Sequence, residues 1–348
     1  MATERYELAP GYTINRVING CWQLSEGHSL NGPLDMNDVG RAFRMLMEQG
    51  FTTFDCADIY TGAEDFIGRF VDELRASPDW SEDDIQIHTK YVPDLDKLGS
   101  LRFEDTQRII DRSLTRLHRQ RLDLVQFHWW DYDVPRCVEV AGHLVRLQEQ
   151  GKIRLIGTTN FDTEHLAALV DAGIPVRSIQ AQYSMFDRRP EQKQLEYCRT
   201  HGIAMFCYGT LSGGFLSEKY LGRADFQPET RSQVKYMQII EDTLGLEGMQ
   251  RLLRLLREIA EGHGASVSNV ATRFILQQDG VAAAIVGVRN SRHVRANASL
   301  FDFTLSDEEM RAIRALLDEY PALPGDCYTL ERTSDRYKGI IKMKLNGE

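Results

Sequence analysis

Short runs of apolar, β-branched and aromatic residues recur along most of this chain, and between them the apolar positions repeat every three or four residues. The first pattern fits a pleated, packed strand and the second a helix with one buried face. The strand-like runs are 16–20 (RVING), 51–55 (FTTFD), 85–90 (IQIHTK), 123–128 (DLVQFH), 153–158 (IRLIGT), 177–182 (RSIQAQ), 203–207 (IAMFC) and 282–287 (AAAIVG). Helical patterns lie near 37–49, 62–75, 104–120, 135–150, 162–172, 189–201, 247–279 and 291–300. In the third of these, Ile109, Ile110, Leu114 and Leu117 fall on one face and charged residues fill the other. Asp162-Thr163 and Ser291 read as helix caps, and Gly151 and Gly202 as helix ends directly before a strand.

Eight strand–helix units with almost continuously apolar strands predict parallel strands covered on both faces. The expected fold is a single-domain (β/α)8 TIM barrel, with the barrel over about 14–302 and a C-terminal helix and tail over 303–348. A doubly wound sheet is the alternative, but no GxGxxG or GxxxxGK[ST] follows any strand. The connection 211–245, after the seventh strand, is too long for a turn and reads as a lid over a ligand. The tail from Tyr320 lacks periodicity, yet its aromatic and aliphatic residues imply packing against something.

Composition narrows the partners. A formal net charge of −10 argues against nucleic acid or an anionic membrane. No apolar run is long enough to span a bilayer, and the start MATERYELAP lacks a signal-peptide pattern, so a cytoplasmic location is expected. Six cysteines without a CxxC pair or His/Cys ligand spacing predict neither a disulfide framework nor a metal site.

In a barrel, chemistry gathers where strands end. Here the ends deliver Trp22, Asp55 with Tyr60, Lys90, His128 followed by Trp129 and Trp130, Asn160, Gln180, Tyr208, and Gly287 with Arg289. Each has an ordinary reading alone: a surface lysine, a core histidine, a loop carboxylate, a helix-capping asparagine. Together on one rim they make a reaction site. A phenol carries its proton at neutral pH and can give it to an oxygen. A neighbouring ammonium favours the phenolate, which is the expected task of Lys90, with Asp55 holding that ammonium in place. Neutral His128 is expected to donate a hydrogen bond to a carbonyl oxygen. Trp22, Trp129 and Trp130 are expected to shape a substrate pocket. No side chain donates hydride, so a nicotinamide is required.

The chain resembles the aldo-keto reductase superfamily. The resemblance is carried by GCWQ at 20–23, DCADIY at 55–60, Lys90, LVQFHWW at 124–130, GKIRLIGTTNF at 151–161, IQAQYS at 179–184, YGTLSGGFL at 208–216 and IVGVRNSRHVRAN at 285–297. It implies a tetrad of Asp55, Tyr60, Lys90 and His128. Asn160 and Gln180 would hold the nicotinamide carboxamide, and Tyr208 would stack on its ring. Leu211 and Gly213 would pass beside the pyrophosphate, and Asn297 would contact adenine. The implied substrate is a small carbonyl compound. Several positions depart from the commonest pattern: Cys21, Ile179 and Thr210, and also Gly287 and His293, where a lysine and an arginine are frequent in NADPH-dependent members. Arg289 and Arg292 supply charge there instead, so NADPH is the expected preference and NADH stays possible. Two other readings remain open: a slow cofactor-binding sensor or channel-associated subunit of the same fold, and a lyase or isomerase forming a Schiff base on Lys90.

Overall fold

The computed structural model describes residues 3–26, 34–223, 225–288, 290–291 and 294–338. Its centre is a closed barrel of eight parallel strands: β3 (Val17–Gly20), β4 (Thr53–Asp55), β5 (Gln86–Tyr91), β6 (Leu122–Phe127), β7 (Ile153–Thr159), β8 (Val176–Gln182), β9 (Ala204–Tyr208) and β10 (Val281–Gly287), with β10 closing on β3. Each strand lies within two residues of its expected place, because a strand covered by helices outside and side chains inside must be apolar throughout.

Two strands precede the barrel that no periodicity had marked: β1 (Arg5–Ala9) and β2 (Tyr12–Asn15), an antiparallel hairpin turning at Gly11, whose φ is +69°. The hairpin closes the barrel floor. Tyr12 is buried, with its hydroxyl 3.2 Å from His88 Nε2 and the Arg154 guanidinium 4.5 Å from its ring centroid. Asn15 stitches the hairpin to β4: its Oδ1 accepts from the Thr52 and Thr53 amides, and its Nδ2 donates to the Gly50 carbonyl. Ile14, Ile18, Leu124, Leu155 and Phe206 fill the interior above this plug.

The helices form the outer ring, with a larger apolar layer between them and the strands. Asp162 caps its helix as expected, accepting from His165 N, and Gly151 and Gly202 have positive φ. Ser291 instead donates its hydroxyl to Asp38 Oδ1. The expected single helix over 247–279 is two, Gly245–His263 and Val267–Leu276. Gly264 at φ +63° ends the first, and the Ser266 hydroxyl starts the second by accepting from Asn269 N. A helix pattern cannot by itself show such a break when the apolar face resumes in phase.

The long connection is largely structured. It carries two short 3-10 turns and the helix Arg231–Asp242, tied down by Gln233, which donates to the Gly213 carbonyl and the Tyr220 hydroxyl. The helix Asp307–Leu317 packs on the outer helix Gly245–His263, and the tail beyond it brings Tyr328 to the cavity and forms the short helices Thr329–Thr333 and Asp335–Lys338. Glu331 anchors it. Its buried carboxylate lies 2.9 Å from Arg189 Nη1 and 2.9 Å from Lys235 Nζ, and Arg189 also pairs with Asp187 at 2.6 Å. Among the described residues no helix is long and apolar enough to cross a membrane.

Burial by itself would raise the pKa of Glu331, but Lys235 and Arg189 outweigh it and hold the carboxylate well below its ordinary range. A depressed carboxylate stabilises the fold above its unfolded pKa, and that contribution disappears as pH falls through the lower folded value. Glu331→Gln should therefore cost about 3–5 kcal/mol near neutral pH. The gap in thermal midpoint between wild type and variant should narrow below about pH 4. Melting curves across that range check both statements, and a gap independent of pH would refute the ion-pair account.

Candidate active site

The alternation of side chains along a strand decides which residues enter the barrel. In β5, Gln86, His88 and Lys90 share one face; in β6, Leu124 and Gln126 share one, and His128 continues it. Lys90 and Gln126 are register partners on adjacent strands. The backbone ladder runs on past the strand ends, with Cys21 N donating to Asp55 O, His128 N to Tyr91 O and Asn160 N to Gln180 O. Asp55, Tyr60, Lys90, His128, Asn160, Gln180 and Tyr208 are thereby delivered to the same rim, around one cavity of about 770 Å³.

At its base lies a buried ion pair. Lys90 Nζ donates to Asp55 Oδ2 at 2.6 Å and to the Cys56 carbonyl at 2.8 Å. The other carboxylate oxygen, Asp55 Oδ1, accepts from Gln126 Nε2 at 2.7 Å and from Gln180 Nε2 at 2.8 Å, and Gln180 Nε2 also reaches Gln126 Oε1. Burial opposes the charge on Lys90, but Asp55 and Tyr60 reverse the effect and raise its pKa above the ordinary value. The Nζ lies 4.9 Å from the Tyr60 ring centroid. Burial raises the Tyr60 phenol to about 12, with Lys90 pulling against it. Lys90 favours the phenolate, the direction expected of it, while desolvation is the larger effect and leaves the phenol above its ordinary value.

His128 sits between Trp130 and Tyr328, edge to face with each, at centroid distances of 4.2 and 5.6 Å. Its Nδ1 lies 3.0 Å from the Thr159 carbonyl oxygen. A carbonyl only accepts, so Nδ1 carries the hydrogen and in the neutral ring Nε2 is a bare acceptor. Burial, with Arg332 nearby, lowers the pKa to about 3 and keeps the ring neutral. In this arrangement His128 Nε2 is buried at the cavity with no hydrogen-bond partner among the described residues.

Across the cavity, Asn160 holds a left-handed backbone at φ 62°, and its Oδ1 accepts from the Tyr208 hydroxyl at 2.8 Å. The Asn160 amide nitrogen and the Gln180 amide oxygen remain, a donor and an acceptor matching a primary carboxamide. Leu211, Gly213, Gly287 and Asn297 also line the cavity. Arg289, Arg292 and His293 lie outside the described residues. Trp22 and Trp130 line the cavity, with their indole N–H groups given to Ser232 Oγ and the Pro93 carbonyl. Trp129 does not. It is fully buried against Phe127, its indole donating to the Val134 carbonyl, because neighbouring residues at a strand end face opposite ways.

The sequence model of the Aldo/keto reductase family matches residues 16–318. The chain belongs to that family. An aldo-keto reductase of Bacillus subtilis (strain 168), YhdN, is 28% identical over 314 residues, covering 88% of this chain and 91% of that protein. The NADH-specific methylglyoxal reductase of Escherichia coli (strain K12) is 24% identical, covering 88% of this chain and 95% of that protein. The solved glycerol dehydrogenase of Gluconobacter oxydans superposes with a TM-score of 0.77 at 26% identity, covering 94% of this chain and 98% of that one.

In this aldo/keto reductase several site residues escaped the sequence reading. Gln126 had a signal, being polar and in phase with His128 in an otherwise apolar strand. Gln23 had none: a Cβ added at Gly287 would fall 2.0 Å from its Nε2, so its amide occupies the space a side chain at 287 would take. Tyr328 and Arg332 arrive from the far end of the chain. Arg332 donates to the carbonyls of Trp129 and Trp130 and lies 4.3 Å from the Tyr132 ring centroid. The Schiff-base reading fits poorly, because an ammonium paired with Asp55 has no lone pair to attack with.

Replacing Gln126 by leucine leaves Asp55 Oδ1 and Gln180 Nε2 each short of one buried partner. We expect a loss of about 1–3 kcal/mol in denaturant unfolding. An unchanged midpoint and slope would mean that Lys90 and Gln180 suffice to hold Asp55.

Proposed function

We propose that this chain is a nicotinamide-dependent oxidoreductase that reduces an aldehyde or ketone to an alcohol, or catalyses the reverse, with Tyr60 as the proton donor. The observation that carries the reading is the Tyr60 phenol beside the buried Lys90–Asp55 pair, in the same cavity as a free amide donor and acceptor on Asn160 and Gln180. The cofactor supplies hydride. Asn160 and Gln180 would hold its carboxamide, Tyr208 would lie against its ring, and Leu211 and Gly213 would line the place of its pyrophosphate.

Tyr60 holds its proton through the neutral range and gives it to the carbonyl oxygen as negative charge develops there. Lys90 stabilises the phenolate left behind, and Asp55 keeps Lys90 charged and in position. The segment Ser217–Lys219 and the helix Arg231–Asp242 wall the cavity and limit water. The pairing of Trp22 with Ser232 ties that wall to the end of β3.

NADPH is the preferred nucleotide in this reading. Gln23 occupies the space beside Gly287, so recognition of a 2′-phosphate falls to Arg289 and Arg292, between the cavity-lining Gly287 and Asn297. Relatives include both an Aldo-keto reductase yakc [NADP(+)] and an NADH-specific methylglyoxal reductase, so this choice needs its own measurement.

Tyr60→Phe should lower kcat for carbonyl reduction at least about 10²-fold while leaving nucleotide dissociation constants unchanged. Near wild-type turnover would exclude Tyr60 as the donor. A burst of nucleotide oxidation without further turnover in wild type would instead favour the slow sensor. For the nucleotide, wild type should bind NADPH at least about tenfold more tightly than NADH, and Arg289→Ala should lose NADPH affinity selectively. Equal affinities in wild type would make NADH the working cofactor.

A further inference from the structure

Tyr60 stands on a turn, so its distance from Lys90 is set by whatever holds that turn. The turn runs from the end of β4 at Asp55 to the helix Ala63–Arg75, which starts after Gly62 at φ +82°. Two buried carboxylates in this stretch have no part in the reaction assigned above: Asp58, 3% exposed, and Glu64, 1% exposed. Both reach the strand that carries Lys90. Asp58 Oδ2 accepts from Val92 N at 3.0 Å, just past the end of β5, and Glu64 Oε1 accepts from Thr89 Oγ1 at 2.7 Å. Thr89 immediately precedes Lys90, and Val92 lies two residues beyond it. Because Lys90 faces the barrel interior, Thr89 faces outward, toward the helix that carries Glu64. The backbone joins the same two segments, with Cys56 N donating to His88 O at 2.8 Å.

Arg116, at the end of the helix Phe103–Arg116, closes the arrangement from outside. Its Nη1 lies 3.5 Å from the Asp58 carbonyl oxygen and 3.8 Å from Glu64 Oε2. The helix Ala63–Arg75 is seated without slack, since a Cβ added at Gly68 would fall 2.0 Å from the Arg116 carbonyl oxygen. Apolar side chains would fill the places of Asp58 and Glu64 at lower cost, because burying a carboxylate is unfavourable. What a carboxylate adds is direction: a hydrogen bond weakens steeply when bent or stretched, whereas apolar surfaces slide past one another. A general acid needs that accuracy. It passes its proton over about 2.6–3.2 Å, and a misplacement of about 1 Å costs about 10²-fold in rate.

We propose that Asp58 and Glu64 are positioning residues that clamp the Tyr60 turn to the strand of Lys90, one on each side of the lysine. Together they fix the separation of phenol and ammonium. Neither is among the residues lining the reaction cavity, so both act through Tyr60 and not on substrate. Nucleotide binding, assigned above to Asn160 and Gln180, is independent of the clamp. The inference rests on the reading of Tyr60 as proton donor.

The test uses whichever of propanal, benzaldehyde and glyceraldehyde wild type reduces fastest with NADPH or NADH. Asp58→Ala removes one acceptor of the clamp, and Thr89→Val removes the donor to Glu64 while keeping the shape of the side chain. Each should lower kcat at least about tenfold, with nucleotide dissociation constants within about twofold of wild type. Asp58→Asn and Thr89→Ser retain the acceptor and the donor, and should restore kcat to within about threefold of wild type. In a Tyr60→Phe background, Asp58→Ala and Thr89→Val should cost no more than about a further twofold, because no proton donor is left to place. A further loss near tenfold in that background would make the two residues merely structural and overturn the inference. So would wild-type kcat in either single variant that folds, or no recovery with asparagine and serine. Each of these results leaves the reductase reading intact. Wild-type turnover in Tyr60→Phe alone, or no reduction of any of the three aldehydes by wild type, would overturn that reading and the clamp with it.

Discussion

The structure depends on a charged pair placed where water is scarce. Lys90 and Asp55 are both buried, and removing two such ions from water costs several kcal/mol each unless their remaining hydrogen-bonding capacity is met. It is met on both sides. The Cys56 carbonyl takes a second ammonium hydrogen, and the Gln126 and Gln180 amides take the far carboxylate oxygen. Satisfying that carboxylate requires β4, β5, β6 and β8 to present these side chains at one height inside the barrel. Closure of the sheet achieves this, because parallel register fixes the relative height of neighbouring strands.

The same constraint gives the cavity its electrostatic character. A protonated amine and a protonated phenol stand together on one side, and a neutral imidazole with a bare nitrogen stands among aromatic rings on the other. Arg332 sustains the contrast: it adds positive charge beside His128 and disfavours a second proton there. The arginine also holds the Trp129 and Trp130 carbonyls, so one tail residue both shapes the wall and helps set the protonation of the ring.

A second buried network secures that tail. Glu331 joins Arg189, which follows β8, to Lys235 on the helix of the long connection. Three segments distant in sequence thus share one carboxylate, and the mouth of the barrel is assembled around it. Because Lys235 belongs to the helix that also carries Ser232, the anchor of the tail and the partner of Trp22 are on one rigid element. The long connection is thereby a packed wall rather than a loose flap.

Much of the fold was legible in the sequence, since each of the eight barrel strands announced itself by a local apolar run and most of the helices between them by their period, although Arg231–Asp242 and the short tail helices did not. Asp55, Lys90, Gln180 and Tyr208 were legible for the same reason: position at a strand end is a local property, and the barrel converts it into a shared rim. The sequence also placed Trp129 in the pocket, and there strand alternation turned it the other way. What no local pattern carried were contacts made across the chain. The hairpin plug, the amide clamp of Gln126 on Asp55, Gln23 against Gly287, and Tyr328 and Arg332 around His128 each depend on the three-dimensional path of residues far apart in sequence. Which nitrogen of His128 holds its hydrogen was decided only there, because it depends on a carbonyl oxygen 31 positions away.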